Sequence, residues 1–268
     1  MGPETPGPQP RVLVQRDPGG VTWLTLNRPA VHNALDFELL AALAGAVAAE
    51  GRQAGALVLR GAGARAFSTG FDLRRLTGTA ADLEADRAIG EAVDALRQAP
   101  VPVVAAIRGH CQGAAVELAL TCDLRLGAAD LRLAVPAVGL GVVYRPQLVA
   151  RLMQLGGAGR AADLLLAGAT LGAEGALAAG LLTAVVPVAG LDLRAGELAR
   201  ALAAAPRSAV TGTTTVLRRL AAGPLSAEAM AELEEVRALA AGSDEHRAAV
   251  AAAKARLAGA APPPGPGG

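Results

Sequence analysis

Aromatic residues make up only 2% of the 268 residues, and Lys254 is the single lysine in the chain. Nucleic-acid binding asks for a basic face and often for stacking rings, and with a formal net charge of +1 neither is offered. Nucleic acid is therefore excluded as a partner. Cysteine is equally sparse: Cys111 and Cys122 both lie in apolar segments, and nothing groups them with His32, His110 or His246. That spacing provides no metal site and no disulfide framework, so buried free thiols are expected. No uninterrupted apolar run approaches the roughly 18 residues that span a bilayer. Met1 to Pro10 is proline-rich and acidic rather than basic and then apolar, unlike a secretory signal. The expectations are no membrane partner and a cytoplasmic location.

What is present is aliphatic: 52% of the chain is apolar, enough for one large core, or for a core with a small appended subdomain. The chain centres on residues 101–118, where the apolar run Val103 to Ile107 enters a glycine-punctuated turn and then a helical pattern. Amides in the first turn of a helix lack intrahelical partners and sit at the positive end of its dipole, so Gly113 and Ala114 offer donors to an anion. Glu117 follows Ala114 by three residues and shares its helix face among alanines, valine and leucine, where desolvation raises a carboxyl pKa. The same spacing also suits a carboxylate that merely complements the dipole.

Turn formers at Asp17-Pro18-Gly19-Gly20 separate two β-prone runs, Val12–Arg16 and Val21–Leu26, and predict a hairpin. Asp36 is placed to cap a helix running to about Glu50, a strand follows at Ala56–Arg60, and Thr79 and Asp82 stand in capping-box spacing before a helix over 81–98. Between these, Gly61 to Asp72 is too glycine-rich for a regular element and too apolar for a mere surface loop. Short strands are expected at 124–126, 131–135 and 184–186, and a loop from Pro136 to Pro146. Helices are expected at 147–155, 160–167, 173–179, 191–205, 208–222, 226–241 and 244–257. Strands alternating with helices make this an α/β protein built on right-handed crossovers, with a smaller helical layer behind it. The limits drawn are a disordered tail at 1–10, a core at 11–190, a helical region at 191–258 and a Pro/Gly-rich tail at 259–268.

Gly61-x-Gly63-x-x-Ala66 follows a strand as a dinucleotide fingerprint would, but Phe67 to Gly70 prolong the loop where that fingerprint must open a helix. Gly157-x-Gly159-x-x-Ala162 matches too, but follows a helical pattern and reads as a helix junction. No G-x-S-x-G elbow occurs, and His110 beside Cys111 points elsewhere than its neighbour, so a Ser or Cys hydrolase has no support.

Taken together, several segments resemble the enoyl-CoA hydratase/isomerase (crotonase) superfamily. They are Leu26-Asn27-Arg28-Pro29 with Asn33-Ala34-Leu35, Ala66 to Leu73, Pro102 to Gly109, Gly113 to Leu118 with Cys122-Asp123, Gly168 to Leu171 and Ala176 to Leu182. The resemblance implies a spiral of ββα units with a C-terminal helical region that builds trimers or dimers of trimers. It also implies an acyl-CoA thioester as partner, with coenzyme A part of the substrate and no separate cofactor. On the family's pattern the thioester oxygen takes hydrogen bonds from the Phe71 and Ala114 amides, and Glu117 carries a proton. CoA would lie along Arg28, Val31, Asn33, Thr69, Gly70, Asp72 and Gly113, with Arg28 and Lys254 as candidate cations for its phosphates. The acyl part would meet Pro136, Ala137 and Tyr144. Hydratases of the family use a second glutamate just past this proline; here the position is Ala137, followed by Gly141-Val142-Val143-Tyr144-Arg145. The expectation is hydration or isomerisation of an enoyl-CoA, with hydration slow; a non-catalytic acyl-CoA-binding or scaffolding protein of the same fold is the alternative. Tyr144 and Arg145 stand where a substitute polar group could enter.

Overall fold

The structure is a computed structural model that describes residues 9–136, 138–223 and 226–259, with 253–259 by backbone alone. The chain forms two compact units that part between Ala203 and Ala204. In the first unit the chain opens with strands β1 (Val12–Asp17) and β2 (Val21–Leu26), the predicted hairpin, and helix α1 (Phe37–Glu50). Asp36 caps α1 by accepting a hydrogen bond from the Leu39 amide at 2.8 Å.

Three strand–strand–helix units then follow. They are β3 (Ala56–Gly61), β4 (Ala66–Ser68) and α2 (Leu83–Gln98); β5 (Val103–Ile107), β6 (His110–Gln112) and α3 (Ala114–Thr121); and β7 (Leu124–Ala128), β8 (Arg132–Ala134) and α4 (Pro146–Leu165). The first strand of each unit joins a six-stranded sheet and the second joins a four-stranded sheet, so each turn of the spiral adds one strand to both. After β9 (Thr170–Gly172), α5 (Ala173–Ala178) and β10 (Ala184–Val186), the sheet orders are β1-β2-β3-β5-β7-β10 and β4-β6-β8-β9. The expected α/β spiral of ββα units is what the chain forms.

The larger sheet is parallel apart from β1, and a parallel sheet must be covered on both faces. Alternation along the strands does this. Leu57, Leu59, Val103, Ala105 and Ile107 turn to one core with Leu39, Leu43, Val93 and Leu118, while Ala56, Val58, Val104 and Ala106 turn to a second core. That second core is closed by Leu191, Ala195 and Ala199 of α6 (Leu191–Ala204), so α6 lies in the unit that carries the sheets. The second unit contains α7 (Arg207–Ala221), α8 (Ala227–Ala241) and α9 (Asp244–Gly259), where Gly212 of α7 faces Val236 of α8 closely enough that a Cβ would lie 3.2 Å from its Cγ1.

The helices expected at 147–155 and 160–167 are present as the two stretches of α4, which meet at a kink at Gly157, φ +77, where the glycine pattern predicts a helix junction. Three local expectations are corrected. The glycine-rich segment 61–72 contains β4, and the turn expected around His110 is β6, because the two pair in parallel and each satisfies the other's backbone. Strand β9, not foreseen, pairs antiparallel with β8. Thr79 caps only a single 3-10 turn, and the Asp82 carboxylate accepts instead from the Thr77 and Gly78 amides ahead of it. Residues 1–8 and 260–268 of the expected tails lie outside the described residues. Among the described residues, no helix is long and apolar enough to cross a membrane.

Candidate active site

The smaller sheet brings the site together. Its neighbours β4, β6 and β8 run parallel, and at its carboxyl end each releases one part of the site: Thr69 to Asp72 after β4, Gly113 and α3 after β6, and the segment leading to Tyr144 and Arg145 after β8. Carboxyl ends of parallel strands are where α/β sheets open a crevice for a ligand.

An isolated parallel bridge between Leu35 and Phe71 fixes the first of these segments. The Leu35 amide donates to Gly70 O and the Asp72 amide donates to Leu35 O, each at 2.8 Å, so the intervening Phe71 N–H is turned away from the bridge. Gly113 precedes α3 with φ +56, and Ala114 is the first residue of that helix, where its amide has no intrahelical acceptor. Neither the Phe71 nor the Ala114 amide finds an acceptor among the described residues. The two segments touch: Gly70 has φ +84, and a Cβ built there would lie 2.6 Å from Gln112 O and 3.4 Å from Ala114 N. Phe71 packs edge to face on Phe37, with centroids 5.5 Å apart, and Phe37 in turn lines a cavity of about 180 Å³ together with Leu40, Ala41, Ala88 and the charged Glu84, Arg87 and Glu91.

Glu117 lies in the first turn of α3 and is buried. Burial pushes its carboxyl pKa up, and the nearby Arg145 guanidinium partly offsets this. Arg145 Nε donates to Glu117 Oε1 at 3.2 Å, and its Nη1 donates to the backbone carbonyl of Asp86 on α2 at 2.9 Å. The guanidinium lies here over a glycine of α2: a Cβ at Gly90 would collide with Nη1, and the arginine would have to shift. Tyr144 is half-buried with its hydroxyl against the α3 N-terminus, 2.8 Å from where a Gly113 Cβ would be. Burial, with the Glu117 charge adding, pushes the phenol up to about 12, so it stays protonated and can act as a donor but not as a base.

The residues expected along CoA divide. Gly70 and Gly113 are buried where the paired segments meet, Thr69 is half-buried beside them, and Val31 is half-buried in the neighbouring loop. Arg28, Asn33 and Asp72 face inward. Asn33 Oδ1 accepts from Arg28 N at 3.0 Å, and its Nδ2 donates to Ala62 O and Ala66 O at 2.9 and 3.0 Å. The Arg28 guanidinium donates to Ala34 O at 2.5 Å and pairs with Asp36 at 3.3 Å and with Asp72 at 3.2 Å. It therefore clamps both strands of the bridge that aims the Phe71 amide. Pro136 is exposed, while Ala137 and the Lys254 side chain lie outside the described residues. Sequence reasoning missed the Arg145–Glu117 pair and the Arg28–Asp36–Asp72 brace; Gly90 in the middle of an amphipathic helix was the available signal for the first.

Arg74 and then Arg28 hold the Asp72 carboxyl well below the usual carboxylate range against the opposing effect of burial. A depressed folded pKa contributes stability above the unfolded value of 3.8, which is lost as pH falls through the folded value. Removing one partner of a buried pair costs about 3–5 kcal/mol. Asp72→Asn should cost less than that, since Arg28 keeps Asp36 and Arg74 is exposed to solvent. The expected result in urea titrations is a lower midpoint at neutral pH and convergence with the wild type in strong acid.

The enoyl-CoA hydratase/isomerase family model matches residues 16–252. Over 248 residues the chain is 33% identical to a "Probable enoyl-CoA hydratase", echA17, of Mycobacterium avium, covering 91% of each protein. It is 38% identical over 210 residues to the mevalonyl-coenzyme A hydratase SIDH of Beauveria bassiana, covering 72% of this chain and 71% of the relative. Among solved structures, an enoyl-CoA hydratase of Mycobacterium smegmatis superposes with a TM-score of 0.85 at 28% identity, covering 92% of this chain and 97% of that one. With the ββα spiral and the two amide-bearing segments in place, these matches establish that the chain belongs to the enoyl-CoA hydratase/isomerase, or crotonase, family.

Proposed function

We propose that this protein binds an acyl-CoA thioester, polarises its carbonyl between the Phe71 and Ala114 amides, and moves the α-proton with Glu117. The observation that carries this reading is the pair of acceptor-free amides on touching segments beside a buried carboxyl. Fixed dipoles aimed at a developing enolate oxygen need no reorganisation and can contribute about 3–4 kcal/mol. Trimeric assembly through the C-terminal helices belongs to the same reading, and the exposed Leu217, Leu220, Met230 and Leu239 favour it.

Hydration needs one group to activate water and another to protonate the α-carbon, and position 137 supplies no second carboxylate. The expected result is α-proton exchange on butyryl-CoA in D2O, followed by proton NMR, that is faster than hydration of crotonyl-CoA. Ala137→Glu should raise hydration and leave exchange unchanged. The second reading, ester binding without turnover, is favoured by the hold of Arg145 on Glu117; tight ester binding with no exchange at any pH would select it. Failure to bind any CoA ester would overturn both.

A further inference from the structure

The site contains a carboxyl group to which the reading above gives no task. Asp86 stands on α2 one turn before Gly90, and residues four apart share a helix face. That face bears the Arg145 guanidinium, which rests on Gly90, holds Glu117 Oε1 at 3.2 Å and takes the Asp86 backbone carbonyl at 2.9 Å. One guanidinium thus joins α2 at Asp86 to the carboxyl of Glu117 on α3. Asp86 is half-buried, and its carboxyl lies close enough to Glu117, Arg145 and Tyr144 to act on the charge of each.

We propose that Asp86 is the second proton-carrying carboxylate of this site and takes the water-activating part that position 137 has vacated. The inference rests on the acyl-CoA reading. The step balances with water as the only co-reactant. The Asp86 carboxylate accepts a proton from water as the oxygen bonds to the β-carbon. The π electrons move toward the thioester oxygen held by the Phe71 and Ala114 amides. As the carbonyl reforms, protonated Glu117 delivers its proton to the α-carbon. Transfer of the proton from Asp86 to Glu117, directly or through water, restores the starting state. Arg145, bound to the Glu117 carboxyl and to the Asp86 backbone carbonyl, stays protonated throughout.

Two reactions separate the roles. Exchange of the α-protons of butyryl-CoA in D2O needs Glu117 and the amides but no second carboxylate, whereas hydration of crotonyl-CoA needs both. With exchange read on its high-pH plateau, where the effect of the Asp86 charge on the Glu117 titration no longer shows, Asp86→Asn should leave exchange within about twofold while lowering hydration about 10²-fold or more, and Glu117→Gln should abolish both. Asp86→Glu, which keeps the carboxyl, should recover part of the hydration. An Asp86→Asn protein that hydrates like the wild type overturns the proposal. So does one that loses exchange and hydration equally, because that is the mark of a structural role. A wild type that exchanges but does not hydrate also overturns it while leaving the acyl-CoA reading intact, and a wild type that binds no CoA ester removes that reading itself.

Discussion

Replacing Glu117 by Gln should reduce α-proton exchange and every reaction that depends on it by about 10²–10⁴-fold, with CoA-ester affinity changed no more than a few-fold. Gln keeps the shape of the side chain and still offers an oxygen to Arg145, so folding and binding are spared while proton transfer is lost. The pH dependence carries a second check. Burial raises the Glu117 pKa above its ordinary 4.5, and Arg145 opposes this. Abstraction requires the carboxylate, so wild-type exchange should climb as pH rises through the raised value and level off above it. Arg145→Met removes the opposing charge and should move that climb to higher pH. Exchange that persists in Glu117→Gln, or a climb that moves to lower pH in Arg145→Met, would mean that another group takes the proton.

The sequence reveals the parts of this site that are written as local pattern. The apolar run 103–107 marks β5 and the helical repeat after Gly113 marks α3, so the places of Ala114 and Glu117 follow by spacing alone. Asp36 as a cap and the 17–20 turn are legible for the same reason. What escaped depends on partners far away in sequence. Strands β4 and β6 are three residues long and too short to show a period; each exists because the other supplies its hydrogen bonds across more than forty residues. Arg28 reads as a phosphate ligand on an exposed loop until Asp36 and Asp72 are seen to surround it, and its side chain is only 11% exposed. Arg145 reads as a departure from the family pattern until α2 packs on α3 with Gly90 beneath the guanidinium. In both cases a charged side chain is assigned outward by its neighbours in sequence and turned inward by its neighbours in space.

Gly70→Ala should disable both amide donors at once. With φ +84, an alanine at position 70 pays about 1–2 kcal/mol for a left-handed backbone. The steric term is larger in consequence: its Cβ would lie 2.6 Å from the Gln112 carbonyl oxygen, a distance that real Cβ atoms do not show. Relief must come from backbone, either by swinging the loop that carries Phe71 or by pushing Gln112 and with it Gly113 and Ala114. Loss of a single oxyanion donor typically costs about 10²–10³-fold in turnover, so exchange on butyryl-CoA should fall by at least that factor. Infrared spectra of the bound ester should show the same loss directly, because a thioester carbonyl held by two amides absorbs at lower frequency than one in water. Gly78→Ala is the control for backbone strain alone: it too has positive φ, +74, but nothing lies within 4 Å of the added methyl. It should keep exchange and the carbonyl shift. If Gly70→Ala retains both as well, the Phe71 and Ala114 amides are not what polarises the ester, and the site as built here fails at its first step.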